Sequence, residues 1–265
     1  MAELIDTHCH LDFHDFDEDR EVVLARAQEV GIVRILVPGI DLPTSRNAVL
    51  LAQANQFVYA AIGIHPNEAH SWENSTLKAL RGLAGQSKVI AIGEIGLDYY
   101  RDRTPKDLQR RTLLAQLELA ASLELPVIIH NREASEDLIR IIQDWTVSLA
   151  HSNSTLSSRP GVLHSFSGSL ETAQHAVEVG FSIGFTGPVT FKKAEELRQV
   201  AAAIPLEKTL IETDSPFLSP HPKRGTRNEP ANVRYIAEKL AEIHQLPFED
   251  FTARVKSNAD TLFRW

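Results

Sequence analysis

Short apolar segments of high β-propensity recur along the whole chain, and segments with helical periodicity separate them. Near-continuous apolar runs of this kind are typical of strands buried on both faces of a parallel sheet, and their alternation with helices indicates βα repeats. The predicted strands are residues 4–8, 33–37, 57–63, 89–93, 127–130, 162–166, 181–185 and 209–213, and the predicted helices are residues 19–30, 105–123, 170–179, 194–203, 231–243 and 248–262. We therefore predict an α/β protein that forms a single (β/α)8 TIM-like barrel, with an open doubly wound sheet as the alternative.

The chain length of 265 residues agrees with one barrel domain over residues 1–265. Apolar residues make up 43% and charged residues 23%, which are values typical of a globular protein. A dinucleotide-binding site is not expected, because no G-x-G-x-x-G motif follows the first predicted strand, and no Walker lysine loop is present. The polar, serine-rich residues 146–160 are predicted to form a surface loop.

The charge balance excludes a basic coat that would bind nucleic acid non-specifically, since 27 Lys and Arg face 35 Asp and Glu for a net charge of −8. The single cysteine, Cys9, cannot form an internal disulfide and indicates a reducing compartment. The N-terminal residues carry acids where a signal peptide has basic and then apolar residues, and no apolar run reaches the ~18 residues of a membrane span. We expect a cytoplasmic monomer without a membrane partner.

Many of the predicted strands end in a side chain that can bind a metal ion or a phosphate group. The carboxyl ends of barrel strands meet at one mouth, where active sites are built. His8 and His10 stand two residues apart, so both rings can face one ion while Cys9 points away. Further candidate metal ligands at the ends of later strands are Glu94, His130, His164 and Asp214.

Each candidate ligand also has a simpler interpretation. The buried carboxylate of Glu94 is costly unless it is paired or metal-bound, so a structural salt bridge is its alternative. His130 and His164, taken singly, are typical of hydrogen-bonded core histidines. Their convergence at one mouth favours ligation, and Asp214 at the end of the last strand can complete the set and take a proton from metal-bound water.

Histidine and carboxylate donors suit Zn²⁺, Mn²⁺, Fe²⁺, Co²⁺ or Ni²⁺ better than Ca²⁺ or Mg²⁺. The set is larger than one catalytic ion needs and agrees with two divalent ions that share a bridging acid. We therefore predict two divalent cations as cofactors, with their identity open among Zn, Mn, Mg, Ni and Co. The chemistry that such a centre implies is hydrolysis by an activated water.

The motifs, in this order, resemble those of the TatD family of metal-dependent deoxyribonucleases. The matching segments are Asp6-Thr7-His8-Cys9-His10-Leu11-Asp12, Gly63-Ile64-His65-Pro66, Ile92-Gly93-Glu94-Ile95-Gly96-Leu97-Asp98-Tyr99-Tyr100, Pro126-Val127-Ile128-Ile129-His130 with Arg132, His164-Ser165-Phe166-Ser167-Gly168, Glu212-Thr213-Asp214-Ser215-Pro216 and Arg224-Gly225-Thr226-Arg227-Asn228-Glu229-Pro230. The resemblance spans almost the whole chain. It departs at residues 146–160, which look longer than the connection usual in the family and bear on the shape of the nearby mouth.

The resemblance implies a TIM-like barrel and phosphodiester hydrolysis, often from the end of a chain. It implies one ion held by His8, His10, Glu94 and Asp214, and a second ion held by Glu94, His130 and His164. Glu94 and Asp214 are the residues to which we assign catalysis, as the bridging carboxylate and the proton acceptor. The expected partner is nucleic acid, as single-stranded DNA or DNA ends.

A phosphodiester needs cationic groups at the mouth, and arginine suits bidentate binding of phosphate. The predicted substrate-binding residues are His65, Arg132, Arg224 and Arg227. Arg224 and Arg227 lie in a loop that should cap the barrel, where a structural role is the alternative.

Two other functions remain open at this point. The same activated water can attack a carbonyl, so an ester or amide hydrolase such as a D-aminoacyl-tRNA deacylase is the alternative enzyme. A non-enzymatic binding barrel is disfavoured, because buried ionisable groups without a function are costly to retain.

Overall fold

In the computed structural model, which describes residues 2–101 and 103–265, eight parallel strands pair in chain order. The strands are β1 (Leu4–Asp6), β2 (Ile32–Pro38), β3 (Val58–Ile62), β4 (Val89–Asp98), β5 (Val127–Arg132), β6 (Gly161–Leu163), β7 (Ser182–Phe185) and β8 (Thr209–Ile211). The Thr7 amide donates to the carbonyl of Ile211 at 3.2 Å, which brings the last strand beside the first. The Thr213 amide donates to Oδ1 of Asp6 at 2.9 Å in the same seam. The predicted (β/α)8 barrel is confirmed.

Helices follow the strands on the outside of the barrel. They are α1 (Arg20–Glu29), α2 (Leu42–Ala54), α3 (Thr76–Ala84), α4 (Lys106–Leu123), α5 (Ser135–His151), α6 (Leu170–Glu178), α7 (Glu195–Ala203), α8 (Val233–Ile243) and α9 (Phe248–Phe263). Within residues 2–101 and 103–265, none of these helices is both long and apolar enough to cross a membrane.

The sequence pattern did not identify α2, α3 and α5. A local signal for α2 exists, because Asp41 and Thr44 form a capping box in which the Asp41 carboxylate accepts from the Thr44 amide at 2.8 Å. Ser45, Ala48, Val49 and Ala52 are its buried residues. Their spacing is helical, but their small side chains make the apolar stripe weak.

The prediction of a surface loop over residues 146–160 is wrong. The first part of this stretch is the last turns of α5, and a short 3₁₀ helix over Thr155–Ser158 follows. The buried side chains of α5 include Leu138, Ile142, Trp145 and Leu149, so its apolar stripe continues into the polar stretch. The connection from α5 leads to the start of β6, which is at the opposite end of the barrel from the mouth. It therefore does not shape the mouth.

The strands differ in length, and this difference sets the position of the polar residues. β4 has ten residues, all of them buried, whereas β1, β6 and β8 have three each. Glu94 is thus inside its strand, while His8, His164 and Asp214 lie just beyond the carboxyl ends of theirs. These ends form the mouth, and the side chains meet there.

Candidate metal centre

The Glu94 carboxylate lies at the middle of the polar cluster in the mouth. It is almost completely buried in β4. Its Oε2 faces His8 and His10, with Nε2 distances of 3.5 and 3.7 Å. Its Oε1 faces His130 Nδ1 at 3.0 Å and His164 Nε2 at 2.8 Å. One carboxylate therefore lies between two sets of histidines. The sets also meet directly, because His8 and His164 stack with ring centroids 3.9 Å apart and form a potential ligand group with Asp214.

The first group consists of His8, His10, Asp214 and the near oxygen of Glu94. The Nε2 atoms of His8 and His10 are 3.2 Å apart, as expected for two rings that point to one place. Oδ1 of Asp214 is 3.7 Å from the first of these nitrogens and 3.5 Å from the second. Cys9 is buried but is in none of the potential ligand groups among the described residues.

The second group consists of His130, His164 and the other oxygen of Glu94. His65 is also close, with Nε2 at 3.4 Å from Oε1 of Glu94. The Asn67 amide donates to Nδ1 of His65 at 3.0 Å, so the neutral ring carries its proton on Nε2. His65 therefore suits a hydrogen-bond donor better than a metal ligand.

The protonation states of Glu94 and His8 agree with a site for cations. Burial disfavours the charged form of Glu94, but His164, His65 and His130 outweigh it and hold the pKa of the carboxyl well below its ordinary value. Burial, together with His164, lowers the pKa of His8 to about 4. An ionised carboxylate and a neutral imidazole are the forms that bind a metal ion. At His10 and His164 burial opposes protonation, but Asp214 and Glu94 at the first and Glu94 at the second raise the pKa of the ring.

Two carboxylates from the sequence motifs, to which the sequence assigned no role, lie behind the histidines. Oδ2 of Asp98 lies 3.3 Å from Nε2 of His130. Burial opposes protonation of His130, but Asp98 and Glu94 raise its pKa to about 9. Such carboxylate–histidine pairs orient ligands in many metal sites. The signal in the sequence is that this acid closes the same buried strand that carries Glu94.

Glu212 is the second of these carboxylates. Its Oε2 lies 3.9 Å from Nδ1 of both His8 and His164. Its Oε1 accepts from the Ser165 amide at 3.1 Å. A Cβ at Gly184 would stand 1.4 Å from Oε1 of Glu212, so the glycine makes room for the carboxylate. Burial raises the pKa of Glu212 to about 8.

Several buried polar atoms of this cluster have no hydrogen-bond partner within the part of the chain that the structure describes. They are Nδ1 of His8, His10 and His164, and Oε2 of Glu212. The Nε2 atoms on the other side of these three rings converge with carboxylate oxygens of Glu94 and Asp214, and this is the donor set of a transition-metal site. The residues present therefore fit divalent cations.

The predicted substrate-binding arginines have different surroundings. Arg132 is exposed at the end of β5, and its guanidinium lies 4.0 Å from the ring centre of Tyr100. Arg224 is exposed and lies 4.2 Å from the ring centre of Phe191. Arg227 instead forms a two-point ion pair with Asp19, at 2.8 and 2.7 Å. Its guanidinium is thus already occupied.

Known proteins with similar sequences and structures support this interpretation. Residues 5–264 match the family described as TatD related DNase. YabD of Bacillus subtilis, an uncharacterized metal-dependent hydrolase, is 42% identical over 261 residues, which cover 98% of this chain and 99% of YabD. The 3'-5' ssDNA/RNA exonuclease TatD of a Pantoea species is 36% identical over 267 residues, covering 98% of this chain and 99% of that protein.

The fold agrees as well. The crystal structure of YjjV, a TatD homologue from Escherichia coli K12, superposes with a TM-score of 0.91 and 34% identity over 99% of this chain and 98% of that one. Both the barrel and the family that the motifs predict are thus confirmed. The chain belongs to the TatD related DNase family of metal-dependent hydrolases.

Proposed function

We propose that this protein is a divalent-metal-dependent nuclease that hydrolyses phosphodiester bonds in single-stranded DNA or at DNA ends. The observation that carries the proposal is the position of Glu94, whose two oxygens face separate histidine groups. The name of the Pantoea relative, a 3'-5' ssDNA/RNA exonuclease, supports a polynucleotide substrate. The candidate ligands meet at the mouth of one barrel, so the proposed centre is complete in a single barrel domain that acts as a monomer.

The proposed centre holds two ions. His8, His10 and Asp214 would hold the first, His130 and His164 the second, and Glu94 would bridge them. When bound, the ions supply an activated water and stabilise negative charge on the attacked phosphate. Zn, Mn, Mg, Ni and Co are the metals to test, because availability as well as the donor set decides occupancy.

The protein side chains supply proton transfer and orientation. Burial opposes ionisation of Asp214, but His10, His164 and His8 outweigh it and lower its pKa, so the carboxylate is a proton acceptor at neutral pH. Nε2 of His65 points to the same cluster and can donate to a phosphate oxygen. Arg132 and Arg224 are exposed cations that can hold the non-bridging oxygens.

The test is hydrolysis of 5′- and 3′-labelled single-stranded DNA by protein treated with EDTA and then reloaded with one metal at a time. We expect metal-dependent loss of nucleotides from one end. Glu94→Ala should reduce the rate about 10³-fold or more, because the shared carboxylate is lost. Glu238→Ala, which removes an exposed acid paired with Arg234 on α8, is the matched control and should keep the activity.

Two outcomes would contradict the proposal. If no metal restores cleavage of DNA, the nuclease proposal fails, and an aminoacylated tRNA then tests the ester hydrolase alternative. If Glu94→Ala keeps full activity, the bridging role is wrong.

A further inference from the structure

In the described part of the chain, the exposed phenylalanine and tyrosine side chains lie at the mouth. Most exposed large hydrophobic residues among residues 2–101 and 103–265 are aliphatic, and six of them lie on the outer helices: Val22, Leu50, Leu77, Leu114, Val147 and Leu170. The aromatic ones are Tyr100, which is 56% exposed, and Phe217, which is 52% exposed. Tyr100 follows the end of β4, and Phe217 comes three residues after Asp214.

These two rings stand on opposite sides of the metal centre. The barrel pairs its strands in chain order, so the gap between β4 and β5 is half-way around from the gap between β8 and β1. The β4–β5 rim is defined here as Tyr100 with Arg132, and the β8–β1 rim as Phe13 with Phe217. The candidate ligands lie between the two rims.

The β8–β1 rim is continuous with the metal centre. The Phe13 ring stacks on His10 with centroids 4.5 Å apart and an interplanar angle of 19°. Phe217 meets Phe13 edge-on at 6.2 Å and lies 6.5 Å from His10. The Asn228 side chain donates to the Phe217 carbonyl at 2.7 Å, which fixes the backbone that carries the exposed ring.

The β4–β5 rim also presents an exposed aromatic ring, but a guanidinium rather than a second aromatic ring packs against it. The Arg132 guanidinium lies against the Tyr100 ring, 4.0 Å from its centre, and both side chains remain exposed. Amides of Tyr100 and Arg101 donate to Oδ1 of Asp98 at 3.1 and 2.9 Å, so the turn that presents the ring is anchored. A planar ring beside a cation is suited to a nucleobase and its neighbouring phosphate.

We propose that each rim stacks one nucleobase, so that a single-stranded polynucleotide crosses the mouth with the scissile phosphodiester over the metal centre. Bases paired in a duplex are not free to stack on protein rings, so the two rims select unpaired nucleotides. The inference rests on the proposed nuclease function and adds the subsites that recognise the substrate.

The test compares removal of the ring with removal of the base. The substrates are one single-stranded oligodeoxynucleotide and two versions with a tetrahydrofuran abasic residue, on the 5′ or the 3′ side of the cleaved bond. Phe217→Ala and Tyr100→Ala should each lower kcat/KM for the ordinary oligonucleotide about 5- to 150-fold, the effect of losing one base–aromatic stack. The loss should arise mainly in KM.

The decisive result is coupling between ring and base. The loss of kcat/KM caused by Phe217→Ala should be at least about 5-fold smaller on one of the two abasic substrates than on the ordinary oligonucleotide. The loss caused by Tyr100→Ala should be reduced in the same way on the other abasic substrate. Phe217→Trp should keep the activity. Leu114→Ala, which removes an exposed aliphatic side chain on α4, is the control and should have no effect.

Losses that are the same for ordinary and abasic substrates, or no losses, would overturn the inference. If Phe217→Ala or Tyr100→Ala does not fold, by circular dichroism, the leucine variant at that position replaces it, because leucine keeps apolar contact but has no planar face. If the natural protein cleaves ordinary and abasic substrates equally well, only the subsites are wrong. If it cleaves neither, the proposed nuclease function itself is wrong.

Discussion

At the level of single residues, the pair of His130 and Asp98 shows how the site changes with pH. Neighbouring carboxylates favour the protonated ring, whereas a bound cation needs the neutral ring. Protons and metal ions therefore compete for His130 up to the region of its pKa, which is about 9. We expect metal affinity to rise with pH through this range.

Replacement of Asp98 should weaken this competition, because Glu94 alone then favours the protonated ring of His130. In the metal-free protein, protonation of His130 stabilises the fold because its pKa is higher in the folded than in the unfolded chain. This contribution is complete below pH 6.5, the ordinary pKa of histidine, and is lost as the pH rises through about 9. Asp98→Asn should therefore cost about 1.5–3 kcal/mol more at about pH 6 than at about pH 10, as for a hydrogen bond to a charged group. Urea unfolding of the metal-free protein measures the difference.

Asp107→Asn is the control, because this exposed acid pairs with Arg110 on α4 away from the site. It should show little pH dependence. An equal cost of Asp98→Asn at both pH values would mean that the carboxylate does not hold the charge on His130.

The sequence could predict which residues meet, but not which atoms of those residues face each other. The ends of parallel strands converge in any barrel, and this rule was enough to bring His8, Glu94 and Asp214 together. Whether His65 acts as donor or ligand depends on a backbone amide two residues away at 3.0 Å. The order of residues along the chain does not predict such a hydrogen bond.

At the level of elements, the segment after β8 contains two arginines with different surroundings. Arg227 bonds Asp19 at the start of α1, and its guanidinium lies 4.7 Å from the Phe16 ring centre. Arg224, three residues earlier in the same loop, has an exposed side chain. The loop is thus held to the barrel by one arginine and presents the other.

The two arginines should give opposite results on replacement. Arg227→Ala should lower the free energy of unfolding by about 1 kcal/mol, since a well-formed surface ion pair is lost. Arg224→Ala should leave stability unchanged and raise KM for single-stranded DNA about tenfold, as expected for a charged contact to phosphate. Unfolding and steady-state kinetics separate the two, and the reverse pattern would assign the phosphate contact to Arg227.

Element prediction succeeded where burial produces a strong pattern. Fully buried strands such as β4 are apolar throughout, apart from the residues that enter the site. Helix α5 was missed altogether, since the stripe that Leu138 and Ile142 begin is continued within a polar stretch by only Trp145 and Leu149. The ends of β1, β6 and β8 were placed too far along the chain, since the polar residues beyond them keep β-like spacing.

At the level of the whole molecule, the candidate ligands join distant parts of the barrel. His8 follows the first strand, Glu94 is in the fourth, and Asp214 follows the last. A cation bound by all three crosses the seam that is otherwise closed by hydrogen bonds such as Thr7 to Ile211. Metal binding should therefore stabilise the global fold.

Removal of metal should lower the melting temperature measurably. A metal ion present at about 100 times its Kd stabilises a folded protein by about 2.7 kcal/mol, which is about 5–10 °C for a chain of this size. Thermal unfolding with EDTA and with reloaded metal measures the shift. Glu94→Gln should lose most of the shift, and a shift that persists in this variant would place the ions elsewhere.

The seam between the last strand and the first also sets an order of events during synthesis of the chain. A nascent chain already contains His8, His10 and Glu94 once β4 has been made, and these form one potential ligand group. Asp214 joins them only when translation has passed β8 and the barrel has closed. Until the last strand is in place, the set of candidate ligands is therefore incomplete, and closure of the barrel and completion of the site are one event.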